Sequence, residues 1–395
     1  MKKLSIISVF LLSMLMSQSV VFAQHNDQHI SMEVNESSSL DLAKNSKSAI
    51  LIERDTGNIL YDKNSDEKLP PASMTKIMTM LLIMEAIEKG ELTLDEKVKV
   101  SEKASSMGGS QIFLEEGEEM TVDDLLKGIA VASGNDASVA MAERIAGSEE
   151  AFVEMMNKKV KYLGLTSTKF QNSTGLPAED HYSTAHDMAV MAKALLKYEA
   201  ITNYTSIYED YLRKGTEKEF WLVNTNKLVR FYEGVDGLKT GFTNEAKYCL
   251  TATAEKDGMR TIAVVMGAKT PKDRNNEISK LLDYAYAKFD TKPLYEKNQV
   301  VTSFEWLKAN QQKVDVVTSD SVSILYPKGT DLDKVETKIT IYKDITLPLE
   351  KGTVVGKLQV TDGEQVMSET DLMISEDVEH ANLLQLFKRT FQSFF

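Results

Sequence analysis

A serine and a lysine three residues apart, in Ser73-Met74-Thr75-Lys76, open a helical stretch just after Pro70-Pro71. At that spacing a hydroxyl and an amine share one helical face. The run that follows, from Ile77 to Ile87, is apolar on nearly every side, which predicts a buried central helix. A lysine at the mouth of such a helix loses water. Desolvation favours the neutral amine, the form that can take a proton from serine. The helix start also offers backbone N–H groups and a positive dipole end, suited to an oxyanion. Alone, Ser-x-x-Lys arises by chance about once or twice in a chain of average composition, so these residues also read as an ordinary helix start.

Two further clusters could join them. Ser133-Gly134-Asn135 follows the apolar run Leu125–Ala132. It reads either as punctuation between helices or as a hydroxyl that relays protons beside an amide that orients a substrate. Lys239-Thr240-Gly241 lies on an expected edge strand. It reads either as an exposed turn or as a cation and hydroxyl for a carboxylate, with glycine allowing close backbone approach. His181, His186, His25 and His29 show no metal-ligand pattern with acidic partners, so no metal or other cofactor is called for. Cys249, alone in an apolar strand, reads as a small buried hydrophobe.

The elements that must position these residues follow from periodicity. Ala49–Ile52 and Ile59–Tyr61, joined by Asp55-Thr56-Gly57-Asn58, predict a β-hairpin. Helical stretches are expected at 73–89, 121–133, 136–146, 149–162 and 185–198. A second hairpin pairs Tyr248–Ala254 with Thr261–Gly267, and a helix runs from about Arg274 to Phe289. Strands, then helices, then strands and a helix predict an α+β domain with one antiparallel sheet. After Asp290-Thr291-Lys292-Pro293 the helical period gives way to short alternating runs at 314–317, 321–325, 337–342, 353–360 and 370–374, the pattern of a small all-β domain. The expected division is a catalytic domain over 47–290 and a β-rich domain over 293–376.

The ends carry their own signals. Residues 1–23 read as a secretory signal peptide: Lys2 and Lys3, an apolar run to about Met16, then Val21-Phe22-Ala23 before Gln24. Residues 24–46 are polar and read as a flexible lead-in. In the tail 380–395, Leu383, Leu384, Phe387, Phe391, Phe394 and Phe395 share one helical face opposite Lys388, Arg389 and Gln392, with Asn382 as N-cap. Such a helix is too short to span a bilayer but suits an in-plane membrane anchor. The alternative is a terminal helix packed on its own domain. In all, 395 residues leave room for two or three cores. The net charge of −13 argues against nucleic acid as a partner, and one cysteine excludes an intrachain disulfide framework.

Taken in order, Ser-x-x-Lys, Ser-x-Asn and Lys-Thr-Gly, 60 and then 106 positions apart, form the signature set of penicillin-binding proteins and serine β-lactamases. The chain resembles the low-molecular-mass penicillin-binding proteins, the serine-type D-alanyl-D-alanine carboxypeptidases. The likeness runs through PPASMTKIMT, ASGNDASVAMAE, NSTGLPAEDHYSTAHDMAVMAKALL and VDGLKTGFTNEAKYCLTATAEKDGMRTIAVVMGA, and includes the β-rich domain and the tail. It implies an α+β transpeptidase-type domain of the penicillin-binding/serine β-lactamase kind, followed by a small all-β domain and a C-terminal amphipathic helix. It also implies an exported enzyme at the extracytoplasmic face of the membrane, peripherally attached. That enzyme removes the terminal D-Ala from peptidoglycan pentapeptides and is acylated by β-lactams.

By the same resemblance Ser73 is the nucleophile and Lys76 its general base, and Ser133 passes the proton to the departing D-Ala. Asn135 holds the substrate amide and positions Lys76, while Lys239, Thr240 and Gly241 line the carboxylate end. The N–H groups of Ser73 and Phe242 make the oxyanion hole. Two departures stand out: Phe242 where some members have His, and Thr225 in Asn224-Thr225-Asn226 where some carry Arg. A β-lactamase would need a group to activate the deacylating water, and spacing identifies none. A feeble, penicillin-sequestering protein remains a rival through Thr225.

Overall fold

The computed structural model describes residues 40–392 other than 331, 333 and 364. The signal peptide expected at 1–23, most of the lead-in, and Phe394 and Phe395 lie outside the described residues. The catalytic half is built on a five-stranded antiparallel sheet in the order Ile59–Lys63, Ser48–Glu53, Met259–Ala268, Lys247–Lys256, Val235–Thr243. The expected edge strand carrying Lys239 is indeed the edge. Alternate residues feed two cores. Ile50, Ile262 and Val264 face a helical cluster, while Leu51, Ala263 and Val265 face the helix Pro271–Lys288. A sheet covered on both faces needs apolar residues at successive positions, which is why Ala49–Ile52 and Ile262–Met266 are unbroken apolar runs.

Within the helical cluster the central helix Lys76–Glu88 is buried at every position from Lys76 to Met84. It is entered through a 3₁₀ turn, Ala72–Thr75, so the expected helix start at 73 is a tighter turn than the periodicity suggested. The surrounding helices begin where side-chain acceptors cap them. Thr121 accepts from Asp124 N–H, Ser148 from Ala151, Thr184 from Asp187, and Thr270 from Asp273, the last with Pro271 in the first turn.

The second half is a five-stranded antiparallel sheet in the order Val300–Glu305, Lys313–Thr318, Gln365–Ile374, Val354–Asp362, Val335–Ile341, with its own core around Val316, Leu358 and Leu372. Two boundary expectations change. Asp290–Pro293, where the division between the two domains was expected, lies inside the strand Phe289–Tyr295, which pairs with Val322–Pro327. Pro293 is tolerated because a two-stranded ribbon has only edges. Part of 40–46, read as flexible, is packed: Ala43 is fully buried, and the Asn45 backbone N–H and Ser46 hydroxyl donate to Glu277. The halves also meet at the first hairpin turn, where Ser321 and Ser323 donate to Asp55 at 3.0 and 2.6 Å.

The terminal helix Leu383–Gln392 starts on a reciprocal cap. Gln385 N–H donates to Asn382 Oδ1 at 2.9 Å, and Asn382 N–H donates to Gln385 Oε1 at 2.8 Å. Arg389 donates to the carbonyls of Leu307, Ala309 and Asn310. The polar side therefore docks on the β-rich half, while Leu383, Leu384 and Phe387 are 85, 81 and 72% exposed. Among the described residues no helix is long and apolar enough to cross a membrane.

Candidate active site

Ser73 sits in the 3₁₀ turn, partly exposed at the head of the buried helix. The turn is reached through a left-handed residue, Ala72 at φ +48°. The neighbouring chain fits only because it is glycine. At Gly175, φ +84°, a Cβ would stand 1.9 Å from the Ala72 carbonyl oxygen; at Gly241 it would stand 2.6 Å from that of Pro71. Two distant segments thus press their backbones against the loop that presents Ser73, and Gly241 brings the edge strand there.

Lys76, fully buried, is the centre of the arrangement. Its Nζ lies 2.7 Å from Asn135 Oδ1, 2.7 Å from the Thr174 carbonyl and 3.2 Å from Ser73 Oγ. Burial holds the amine well below the usual lysine range; the charge of Lys239 adds to this, and Asp136 opposes it. A neutral amine has two hydrogens and one lone pair. The two carbonyl oxygens accept the hydrogens, so the lone pair is left for the Ser73 hydroxyl. That is the geometry of a base holding the serine proton.

Each acceptor is itself fixed. Asn135, the first residue of its helix, donates through Nδ2 to the Gly108 carbonyl at 2.7 Å and through its backbone N–H to Ser110 at 2.7 Å. Next to it, buried Asp136 accepts from the N–H groups of Ile112, Leu114 and Ala137, tying the 108–114 loop to the helix. Thr174 is aimed by Asn172, whose Oδ1 accepts from the Thr174 and Gly175 N–H groups at 3.2 and 2.7 Å. Ser133 ends the preceding helix at φ +65°, and its buried Oγ has no hydrogen-bond partner among the described residues. Leaving a buried hydroxyl unpaired costs roughly 1–3 kcal/mol, a cost that makes sense if a reacting group completes the pair.

Lys239 is buried on the edge strand, and its Nζ donates to the Thr240 carbonyl at 3.3 Å. Burial, then the charge of Arg274, lower its pKa to about 7. Thr240 Oγ1 donates to Thr225 Oγ1 at 2.7 Å. Asn224 and Asn226 hold that segment by bonds to the carbonyls of Thr205, Ile207 and Gly237, so the Thr225 departure supplies a second hydroxyl beside Thr240. Phe242 is half exposed and stacks on Tyr248, with ring centroids 4.5 Å apart. A buried cation and two hydroxyls form a seat for a carboxylate.

All the expected site segments converge. Three contributors had not been singled out: the Thr174 carbonyl, Asp136 and Arg274. Arg274 is buried, its guanidinium donates to Asn275 Oδ1, and its like charge acts on Lys239. The NSTG string was the available signal for Thr174, although a backbone oxygen carries no residue type of its own. His181 has both nitrogens engaged, with Thr75 and the Gln171 N–H. Among the described residues no group of His, Cys, Asp or Glu is placed to hold a metal ion.

Comparison with known proteins gives consistent findings. The model of the D-alanyl-D-alanine carboxypeptidase family matches residues 33–270, and that of the penicillin-binding protein 5 C-terminal domain matches 289–380. The chain is 57% identical over 350 residues to the D-alanyl-D-alanine carboxypeptidase DacF of Bacillus subtilis, covering 89% of this chain and 90% of that one. It is 36% identical over 343 residues to DacC of Escherichia coli, covering 84% and 83%. The crystal structure of penicillin-binding protein 5 from Haemophilus influenzae superposes with a TM-score of 0.66 at 32% identity, covering 85% of this chain and 98% of that one.

Proposed function

The chain belongs to the D-alanyl-D-alanine carboxypeptidase family and is a serine-type hydrolase of that class; from that premise we propose how its own residues divide the reaction. The substrate is a peptidoglycan pentapeptide ending in D-Ala-D-Ala. Its terminal carboxylate sits at Lys239, Thr240 and Thr225, in the positive field that Arg274 reinforces, with Gly241 letting the peptide approach the strand. Lys76 takes the Ser73 proton as Oγ attacks the carbonyl of the penultimate D-Ala. The N–H groups of Ser73 and Phe242 receive the oxyanion. As the C–N bond breaks, Lys76 returns the proton through Ser133 to the amine of the departing D-Ala. Water then hydrolyses the Ser73 ester. A β-lactam follows the same path to the ester, but its leaving group stays tethered and blocks the water's approach.

The observation that carries this reading is the placement of Lys76 Nζ between two carbonyl acceptors and Ser73 Oγ. The predicted result is D-Ala release from a D-Ala-D-Ala pentapeptide by the wild type and none by Ser73→Ala; release that survives the substitution overturns the assignment. The sites of action and attachment are part of the same reading: export by the 1–23 signal, work at the extracytoplasmic face, and peripheral attachment through 380–395. The exposed Leu383, Leu384 and Phe387 support that attachment. So does the division into a catalytic unit, 47–290, and a β-rich unit, 293–376, that carries the helix.

A further inference from the structure

Beside the nucleophile loop lies a recess of about 40 Å³, bounded by Pro70, Pro71, Ala72, Pro177, His181 and Glu245 among others. A water-sized group needs roughly 10–15 Å³, so the recess admits an ammonium with a methylene or water beside it. Its chemistry is one-sided. The three prolines bring carbonyl oxygens and no N–H. His181 accepts from the Gln171 N–H through Nδ1 at 3.2 Å, so its Nε2–H donates to Thr75 Oγ1 at 2.8 Å. Burial drops its pKa to about 4, and the ring adds no charge near neutrality. Glu245 is then the single formal charge on the lining. It is exposed, and among the described residues it makes no hydrogen bond or ion pair. The lining carries one exposed carboxylate and no lysine or arginine, so the recess suits a cation.

Position links the recess to the substrate, on the premise of the proposed function. With the terminal carboxylate at Lys239–Thr240 and the scissile carbonyl at Phe242, the peptide runs antiparallel to the edge strand. At about 3.4 Å per residue, the third residue of the stem falls level with Thr243, the last residue of the strand, with Glu245 two positions further on. We infer that Glu245 and this proline-rimmed recess bind the side-chain amine of the third stem residue, so that the enzyme prefers stems carrying a free primary amine there. Lysine and diaminopimelate both supply that chemistry.

The test compares kcat/KM for D-Ala release from three pentapeptides with lysine, meso-diaminopimelate or Nε-acetyl-lysine third, using wild type and Glu245→Gln. The expected wild-type preference for the amines over the acetylated peptide is about fivefold, equivalent to ~1 kcal/mol at 1.4 kcal/mol per tenfold. Glu245→Gln should abolish the preference and leave the acetylated peptide's rate unchanged. A preference for only one of the two amines identifies which stem the recess reads. Equal rates on amine and acetyl peptides in the wild type, or a preference that survives Glu245→Gln, overturn the inference while D-Ala release stands. No D-Ala release from any peptide overturns the proposed function and this inference with it.

Discussion

Gly175→Ala adds a single methyl group two residues beyond Ser173 and tests whether the packing of the 171–176 loop sets the active-site geometry. The new Cβ would lie 1.9 Å from the Ala72 carbonyl oxygen and 2.9 Å from Thr75 Oγ1. Opening the first contact merely to 3.0 Å requires a movement of 1.1 Å between two backbones. A non-glycine residue at φ +84° costs about 1–2 kcal/mol, and the overpacking adds about 1–3 kcal/mol. At about 2–4 °C per kcal/mol for a domain of this size, melting should fall by roughly 10 °C.

The kinetic effect should be larger than the thermal one. Thr174, one residue earlier, holds Lys76 at 2.7 Å, and a shift of that size removes the acceptor that orients the amine. Misplacement by 1 Å costs up to about 10²-fold in rate. The assay is the second-order rate of Ser73 acylation by a fluorescent penicillin, measured beside a thermal melt and at a temperature where the variant is folded. A variant that melts within 2 °C of wild type and acylates within threefold of it would refute the claim that Gly175 sets the Lys76 geometry.

Ser133→Ala removes a buried hydroxyl without a partner in the resting protein, so the melt should be unchanged or slightly raised while D-Ala release falls by at least about 10²-fold; a clear loss of stability would show that the hydroxyl is already paired. Lys239 has its pKa lowered to about 7, so its charged form, the one that holds a carboxylate, is lost as pH rises through that value. KM for the pentapeptide should therefore climb above about pH 7, whereas kcat should hold to higher pH, because a bound carboxylate favours the charged lysine; a flat KM from pH 6 to 9 would contradict this. Removing residues 380–395 should release the protein from vesicles containing anionic lipid without changing D-Ala release, and continued sedimentation with vesicles would place the attachment elsewhere.

Much of the site was legible because residue type and spacing carry the chemistry. Ser73 and Lys76 meet because three positions along a helix share a face, and the apolar run behind them forces the amine out of water. Lys239 could be assigned to an edge strand because the hairpin after it was clear. What stayed hidden is chemistry written in the backbone. The Thr174 carbonyl could have belonged to any residue, and the left-handed Ala72 has no sequence mark. Arg274 lies 35 positions from Lys239 and acts only through the charge it places nearby. In the fold, Asp290–Pro293 read as the point of division because its polar residues and proline suit both a turn and an edge strand. The packed Ala43–Ser46 segment was hidden because its partner, Glu277, is 231 positions from Ser46.

The most direct test of Lys76 as a neutral base is the pH dependence of Ser73 acylation by benzylpenicillin, in the wild type and in Lys76→Arg. Burial lowers the Lys76 pKa, so the wild-type rate should rise with pH along a limb whose midpoint lies well below the ~10.4 of an ordinary lysine. A guanidinium cannot give up its proton in this range, so Lys76→Arg should be slower by at least about 10²-fold at every pH, with no such limb. A wild-type limb at the ordinary lysine value, or an arginine variant within tenfold of wild type, would contradict the assignment of Lys76 as the base that activates Ser73.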